Sequence, residues 1–338
     1  MTDTPQTVGA DGTPEGPEKR VRSRSTLRSL NFTTRFWIAV VLLLLVIVVA
    51  FVASTFYPYS PDDKVGSLFD YPSAEHIFGT DNFGHDELAL LMASTRNSLY
   101  NGLLAGTIAT VIGVFIGILA GYVGGWFEEF LMGITNIVLA IPALVILILI
   151  SMSLQNTNIQ FLKGIVGLAL VIGFTSWPWT ARAVRAQASS VSTREHIDIA
   201  KLSGARTGSI LVQDVMPYLA SYIVMAWVLQ VANAILAEST LSMLGLGPSG
   251  TNSLGIQLHW ALAFQAVASG AWWAFLPPTI MLTLISFALL FLQASLDEVF
   301  NPRLRRGKKR DLVKAAARRA EAARKLAEQN RQPEEATA

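Results

Sequence analysis

Long apolar runs without charge constrain this chain more than any other feature of its sequence. The first run, Phe36 to Phe56, contains no charged residue and is long enough to cross a bilayer as a helix. Only 15% of all residues are charged, against about 25% in soluble domains. The sequence therefore predicts an all-α integral membrane protein with six transmembrane helices. The five later runs lie at about 98–123, 130–154, 164–181, 218–242 and 272–296.

The polar segments divide the chain into parts. Residues 1–34, rich in Thr, Pro, Gly, Asp and Arg, are typical of a disordered tail. The end of the chain begins R-L-R-R-G-K-K-R and is either a lipid-headgroup anchor or partner helix, or a solvated helix that reinforces the topology. We predict a disordered cytoplasmic tail at 1–34, a first transmembrane helix at 35–57, an extracytoplasmic loop at 58–97, a core of five transmembrane helices at 98–296 and a cytoplasmic basic helical tail at 297–338.

The distribution of Lys and Arg predicts the orientation in the membrane. With six spans, both termini and the segment 182–217 lie on one side, and that side holds 23 of the 26 Lys and Arg residues. Because positively charged segments stay in the cytoplasm, we expect a multi-pass protein of the cell membrane with both termini cytoplasmic. Membrane lipid is an expected partner. Nucleic acid is not, because the basic tail lacks interleaved aromatic residues.

A polar, basic segment at 194–217, which we call the elbow, interrupts the apolar runs. Ser192 and Glu195 have the spacing of a capping box, which predicts a helix start. Gly204 is suited to end that helix in the left-handed conformation, and Thr207 is a candidate cap for a second short helix. The elbow is therefore predicted to hold two short helices.

One side of the elbow is expected to be smooth. Ile197, Ala200 and Gly204 recur at spacings of three and four, which places small side chains on one helical face. Pro217 is expected to end the second helix before the next apolar run. Such a face suits docking into a groove on another protein. The alternative is a helical connector that lies on the membrane surface.

The elbow resembles the coupling loop of ABC importer permeases. The pattern of that family is E-A-A, three residues, G, nine residues, I-x-L-P, and it is met here at 198–200, Gly204 and 214–217, with departures at Asp198, Ile199, Asp214 and Met216. The resemblance implies that the loop inserts into a cleft of the ATP-hydrolysing subunit and transmits its movement. It assigns this coupling to Glu195, Asp198, Ile199, Ala200, Gly204 and Pro217.

Other stretches are similar to the oligopeptide and dipeptide branch of the same family, the C-type permease subunit. Residues 79–86, G-T-D-N-F-G-H-D, follow the family pattern G-T-D-x-x-G-R-D with His85 in place of Arg. The similarity covers about 27–303 and implies a type I ABC importer permease fold with a cytoplasmic coupling helix. The remaining matches are 117–126 with 140–142, 234–247 with 253–255, and the closing segment 296–303.

The first long loop contains a cluster of His and Asp residues. The spacing of His76, Asp81, His85 and Asp86 fits no standard zinc pattern, so we expect no metal. The resemblance implies instead a structural turn on the outer face, near the docking site of a substrate-binding protein. The residues of this turn are Gly79, Thr80, Asp81, Gly84 and Asp86.

Glu238 is the one carboxylate in the run at 218–242. Its position along the run places it near the outer membrane boundary. An ionisable group at such a depth is a candidate for the pathway or its outer gate. The alternative is an interfacial carboxylate bonded to Ser239 or Ser242, which holds the outer end of the bundle together.

No catalytic or nucleotide-binding motif is present in the sequence. The pattern G-x-x-x-x-G-K-[ST] does not occur and no Ser/His/Asp set is recognisable, so we predict a non-enzymatic subunit that binds no cofactor itself. The resemblance implies a second homologous permease, two ATP-binding cassette subunits that bind ATP and Mg, and an extracytoplasmic substrate-binding protein.

The predicted function is that of the transmembrane subunit of an ATP-driven importer, which forms half of the translocation pathway. The resemblance favours peptides as substrates, while relatives with the same motifs carry oligosaccharides or nickel. An ion-coupled secondary transporter is the alternative of a different class. The near-absence of charges in the spans weakens that alternative.

Overall fold

The structure, a computed structural model, describes residues 33–300 and Glu321, so most of the predicted tails at 1–34 and 297–338 lies outside the described residues. The described part is helical, with two isolated bridges and no strands. Its helices are α1 (Thr34–Phe56), α2 (Glu87–Val123), α3 (Gly125–Ala140), α4 (Ala143–Gln155), α5 (Gln160–Lys163), α6 (Ile165–Ser192), α7 (Glu195–Leu202), α8 (Thr207–Leu246), α9 (Leu254–Ala263) and α10 (Leu276–Phe300).

Four helices of the described part are long and apolar enough to cross a membrane, namely α1, α2, α8 and the run Trp272–Phe300 that contains α10. The pair α3 and α4 qualifies as a fifth span, broken by a bend of 81°. Helix α6 has 28 residues, but polar and basic residues in its second half lower its mean hydropathy. The all-helical membrane fold is confirmed, whereas length and composition give four or five spans rather than six.

Proline positions explain where the helices break. Pro142 lies between α3 and α4, so the run expected at 130–154 is two helices rather than one. Pro178 lies inside α6. The prolines at 277–278 lie in the first turn of α10, where the backbone N–H groups lack helical partners in any case.

Helix α2 begins at Glu87, well before the apolar run that starts at 98. Asp86 caps it, because a carboxylate oxygen of Asp86 accepts the backbone N–H of Ala89 at 2.9 Å. Hydropathy places the start of the span after Arg96 and Asn97, because these polar residues separate the short apolar stretch at 88–93 from the long apolar run. The segment predicted as a loop at 58–97 is therefore helical from Glu87 onward.

The long helices α2 and α6 pack closely because α2 presents glycines to α6. A Cβ atom on Gly113 would lie 2.6 Å from the Cβ of Thr180, and one on Gly117 would lie 2.6 Å from the carbonyl oxygen of Ala181. Small residues at a spacing of four along α2 thus allow the two helices to approach closely. This tightly packed pair connects the elbow, which follows α6, with residues 58–86, which precede α2.

Candidate functional site

The elbow leaves the bundle at the end of α6 and returns in α8. Ser192 is the last residue of α6, and Arg194 occupies the N-cap position of α7. The capping box expected from Ser192 and Glu195 does not form, because the Ser192 hydroxyl donates to the carbonyl of Ser189 at 2.9 Å. Thr207 is the first residue of α8 rather than its cap. The first difference arises because α6 extends further than its apolar run and includes Ser192.

Helix α7 ends as predicted, with Gly204 in the left-handed conformation at φ +79°. The N–H of Gly204 donates to the carbonyl of Lys201 at 3.1 Å, and the N–H of Ala205 donates to the carbonyl of Ala200 at 3.2 Å. This pair of bonds is a Schellman motif, which satisfies the last carbonyls of the helix. The turn is thus fixed by backbone bonds and leaves its side chains free.

Pro217 does not end a separate helix, so that prediction is wrong. The helix continues from Thr207 into the spanning part of α8 through a π-helical turn at Leu211–Val215. In an α-helix the proline ring collides with the carbonyl four residues earlier, and the wider π turn relieves this contact. The elbow is therefore joined directly to a membrane helix.

One side of the elbow is fixed to the bundle by apolar packing. Ile197 of α7 and Ile210 and Val215 of α8 are buried in one cluster with Val184 of α6. Ala200 packs against the same cluster. The face expected to be smooth, with Ile197 and Ala200, therefore packs against the bundle. Removing the apolar side chain of Ile197 from water favours this orientation.

Aromatic rings add a second layer of attachment. The guanidinium of Arg194 lies 5.2 Å from the ring centroid of Tyr218, and the ammonium of Lys201 lies 5.6 Å from that of Tyr122. The ring centroid of His196 lies 4.8 Å from that of Tyr218, with the two ring planes tilted by 34°. These cation–π and ring contacts tie α7 to α2 and α8.

The opposite side of α7 is an exposed apolar tip, formed by Ile199, Leu202 and Gly204. Leu202 is 89% exposed and Ile199 is 66% exposed. No atom lies within 4 Å of the Cβ position of Gly204. Glu195 and Asp198 are exposed beside the tip. The elbow thus exposes an apolar tip on a helix whose other side is packed against the bundle.

The turn at 79–86 lies at the other end of the bundle. Gly79 and Gly84 have positive φ, and a Cβ on Gly84 would lie 2.2 Å from the carbonyl oxygen of Gly66. The carbonyl of Thr80 accepts the indole N–H of Trp273 at 3.1 Å. The sequence places these residues in a turn because only glycine fits both the backbone angle and the close approach.

Two aspartates organise this turn. Asp81 accepts the backbone N–H groups of Phe83 and His85 at 2.7 and 2.8 Å, and its second oxygen lies 3.1 Å from the His85 ring. Asp86 lies 2.8 Å from the His76 ring and caps α2. Among the described residues, no group of three His, Cys, Asp or Glu side chains converges to hold a metal.

Tyr57 connects α1 to the same network. Its hydroxyl donates to a carboxylate oxygen of Asp86 at 3.1 Å. Burial, and then the negative charge of Asp86, raise the pKa of Tyr57 well above its usual range near 10. The tyrosine is therefore held neutral as a hydrogen-bond donor.

Glu238 of α8 is fully buried and hydrogen-bonded by serines. Ser242 donates to one carboxylate oxygen at 2.6 Å, and Ser98 and Ser239 donate to the other at 3.0 and 3.3 Å. Ser98 also accepts the backbone N–H of Leu254. The carboxylate therefore joins α2, α8 and α9, and its role in a pathway or gate stays a prediction.

A cavity of about 680 Å³, which sequence reasoning did not identify, opens between α6, α8 and α10. Asn233 of α8 and Gln187 of α6 line it and are exposed. Gln230 lies one turn from Asn233 and donates to Thr180 at 2.8 Å. The sequence signal for this cavity was the pair of polar residues at 230 and 233 within an apolar run. The cavity offers a polar path beside a membrane helix.

An all-helical bundle with several membrane helices, an exposed elbow and a polar cavity defines a multi-pass membrane protein of the transporter type. The sequence pattern described as "Binding-protein-dependent transport system inner membrane component" matches residues 113–306. The chain belongs to this family.

Curated relatives align over most of their length. A putative peptide transport system permease of Brucella suis biovar 1 is 32% identical over 83% of this chain and 92% of its own. The oligopeptide transport system permease protein OppC of Mycobacterium bovis is 32% identical over 78% of this chain and 90% of its own. OppC of Lactococcus lactis subsp. cremoris is 28% identical over 79% of this chain and 90% of its own.

A solved structure of the MetNI methionine ABC transporter in inward-facing conformations also aligns. The TM-score is 0.45 at 21% sequence identity, and the alignment covers 61% of this chain and 96% of that chain. The family assignment does not depend on this alignment.

Proposed function

We propose that this protein is the transmembrane subunit of an ATP-driven peptide importer, and that the exposed tip of the elbow couples it to an ATPase. The family is the inner membrane component of binding-protein-dependent transport, which implies ATPase and binding-protein partners. The chain itself is a non-catalytic permease that binds no nucleotide, and ATP and Mg are bound by the partner subunits.

The exposed tip is the observation that carries this proposal. Leu202 is almost fully exposed at the end of a helix whose other side, through Ile197, is buried in the bundle. An apolar side chain exposed on a rigid support is typical of a contact with another protein. Because α8 continues from the elbow into the membrane, movement of the tip is transmitted directly to a spanning helix.

The arrangement in the membrane follows from this role. The elbow and both termini face the cytoplasm, in accord with the excess of Lys and Arg on that side. The turn at 79–86 faces outward, where a substrate-binding protein docks. A second homologous permease completes the pathway, and two ATP-binding cassette subunits bind from the cytoplasm.

The cavity between α6, α8 and α10 is the half-pathway in this proposal. Asn233 and Gln187 supply hydrogen bonds to a polar substrate, and Arg194 and Asp297 line the same cavity. The peptide preference is supported by the relatives of Brucella suis and Mycobacterium bovis, whose names describe peptide transport. Oligosaccharide, nickel and ion-coupled transport are the competing functions.

Reconstituted uptake tests the proposal. The complete transporter in liposomes, loaded with ATP on the side of the elbow, is expected to accumulate a labelled peptide from the other side only when its binding protein is present. Labelled oligosaccharide and nickel serve as competing substrates. Accumulation driven by an ion gradient without ATP, or of sugar or nickel in place of peptide, would contradict the proposal.

Coupling is tested in the same liposomes with Gly204→Trp. The substitution strains a left-handed position and places a bulky ring on the exposed tip, so peptide uptake is expected to fall at least tenfold. The matched control is Gly208→Trp, since Gly208 also has no atom within 4 Å of its Cβ position but a helical backbone. Unchanged uptake and ATP hydrolysis in Gly204→Trp would argue against the coupling role.

A further inference from the structure

The cavity between α6, α8 and α10 presents three carboxamide side chains that have no hydrogen-bond partner in the described part of the chain. Gln187 belongs to α6, Asn233 to α8 and Gln293 to α10. Gln187 and Asn233 are exposed and Gln293 is half-buried. None of their amide atoms is among the buried unpaired atoms of the described residues, so a molecule in the cavity can reach all three side chains.

Gln230, a fourth carboxamide of the same lining, is used for helix packing instead. Its amide nitrogen donates to the carbonyl of Ser176 at 2.9 Å and to the hydroxyl of Thr180 at 2.8 Å. These bonds join α8 to α6 and fix the register of the two helices. They also leave Gln187, Asn233 and Gln293 as the carboxamides that are available to a substrate.

The register set by Gln230 gives the separation of two of these groups along the cavity. Asn233 lies one turn beyond Gln230, away from the elbow, and Gln187 lies two turns beyond Thr180, toward the elbow. At a rise of about 1.5 Å per residue, Asn233 and Gln187 are roughly 15 Å apart along the helices. An extended chain covers at most about 3.3–3.6 Å per residue, so a peptide of about four or five residues reaches from one to the other.

The chemistry of a carboxamide matches that of the peptide main chain. The NH₂ group of Asn or Gln donates to a peptide carbonyl, and its oxygen accepts a peptide N–H. Exchanging the oxygen and the nitrogen of the amide leaves this pairing possible, because both atoms are unpaired in each of the three side chains. Such contacts do not depend on the side chains of the peptide.

The rest of the lining is suited to varied side chains. Met225 and Leu229 supply apolar wall, and the flexible thioether of methionine adapts to different shapes. The lining contains one positive residue, Arg194, and one negative residue, Asp297. Their formal charges cancel, so the cavity favours neither sign of substrate charge.

We propose that Gln187, Asn233 and Gln293 bind the main-chain amide groups of a peptide in transit, so that this half-pathway recognises the peptide backbone rather than its side chains. The identification of the ligand as a peptide rests on the proposed function. An oligosaccharide, whose hydroxyl groups also donate and accept, is the competing ligand. Side chains of the second permease are the competing partner.

Direct binding tests main-chain recognition. Saturation-transfer NMR is measured on the complete transporter in detergent, without its binding protein, so that the binding protein cannot contribute. The probes are tetra-alanine, the same peptide methylated at its peptide nitrogens, and maltotriose. Methylation removes the N–H donors, so the methylated peptide is expected to bind about fivefold more weakly than tetra-alanine. Equal binding of the two peptides, tighter binding of maltotriose, or absence of peptide binding would overturn the proposal.

Three variants of nearly constant size assign the bonds to this chain. Asn233→Leu, Gln187→Met and Gln293→Met each remove one amide from the cavity and are expected to weaken tetra-alanine binding about fivefold. Binding of the methylated peptide is expected to change less, because its N–H donors are already absent. Gln160→Met, the same change at an exposed residue outside the lining, is the control and is expected to have no effect.

The same variants test the competing partner. If the carboxamides pair with the second permease, the variants lower the yield of the assembled transporter, and the transporter that still assembles keeps its preference for tetra-alanine over the methylated peptide. Retention of that preference in all three variants would refute the proposal.

Uptake by the liposomes distinguishes failure of this inference from failure of the proposed function. With the binding protein saturated by either peptide, tetra-alanine is expected to enter faster than its methylated form, and Asn233→Leu is expected to remove most of this difference. Equal uptake of both peptides by the unmodified transporter would contradict main-chain recognition but keep the peptide importer. Absence of any peptide uptake would contradict the importer itself.

Discussion

The two ends of the helix bundle differ in what they expose and what they bury. The elbow end exposes apolar atoms, with Leu202 at 89%, although the helix that carries it is firmly anchored through Ile197. The opposite end buries polar and charged groups, including Asp86 and Glu87, in a network of turns. An exposed apolar tip is suited to a partner that covers it, whereas a buried polar network is suited to rigidity.

The contrast also shows in how the glycines are used. Gly204 at the elbow has open space around it, while Gly84 at the opposite end is pressed against a carbonyl oxygen. Both have positive φ. A substitution at Gly204 therefore changes the surface that a partner meets, and one at Gly84 changes the fold.

The largest effect is expected from Gly84→Val. The new side chain would combine a left-handed backbone with a Cβ 2.2 Å from the carbonyl oxygen of Gly66, so we expect a loss of more than about 4 kcal/mol and little folded protein. The yield of monodisperse protein in detergent and its melting temperature measure this. Gly208→Val, in open space, is the control. A normally folded Gly84→Val would show that the end opposite the elbow is not rigid.

A matched pair of substitutions separates anchoring from docking in α7. Ile197→Ala removes a fully buried side chain and is expected to cost about 2–5 kcal/mol of stability. Leu202→Ala is expected to change stability by less than about 0.5 kcal/mol but to lower coupled peptide uptake several-fold. Melting temperature and uptake in liposomes are compared for both. Full uptake by Leu202→Ala would remove the docking role from this side chain.

Glu238→Gln is expected to have a smaller effect. The amide keeps one acceptor oxygen for the serine hydroxyls but brings donors in place of the other, so we expect a loss of about 1 kcal/mol with transport largely retained. Melting temperature and uptake again provide the measurement. Abolished uptake with normal assembly would instead assign Glu238 to the pathway or its gate.

The smallest effect concerns the pH dependence of Tyr57. Because the pKa of Tyr57 is higher in the folded protein than in the unfolded chain, its contribution to stability is complete below about pH 10 and is lost as the pH rises above that value. Tyr57→Phe is expected to cost about 1 kcal/mol at pH 8 by loss of the bond to Asp86, and less at pH 11. Melting curves of both proteins across this range test the sign. A difference that grows with pH would be inconsistent with the burial of Tyr57.

Local signals in the sequence were sufficient where the backbone alone decides the structure. The end of α7 at Gly204 and the turn with Gly79 and Gly84 follow from residues that tolerate positive φ. The capping box at Ser192 failed because α6 packs along its full length against α2, and this tertiary packing overrides a cap signal. The prediction that Pro217 ends a helix was wrong because a π-helical turn accommodates the proline within a continuous helix. No local sequence pattern indicates such a turn.

The remaining site features depend on residues that are distant in the chain. The burial of Ile197 requires α6 and α8 to meet beneath it, so spacing within the elbow assigned it to the wrong face. The cavity with Gln187, Asn233 and Gln293 is formed by three helices, and no motif links them. Long-range packing therefore decides which polar side chains face the cavity.

Site-specific cross-linking tests the central claim most directly, since the chain contains no cysteine and a single introduced thiol can be labelled alone. Leu202→Cys carrying a photoreactive group is compared, in the complete transporter, with Val267→Cys, which is at an apolar residue 61% exposed at the other end of the bundle. The account predicts that the label at 202 cross-links to the ATPase subunit and that the label at 267 does not. Equal cross-linking from both positions, or labelling of lipid alone at 202, would contradict it.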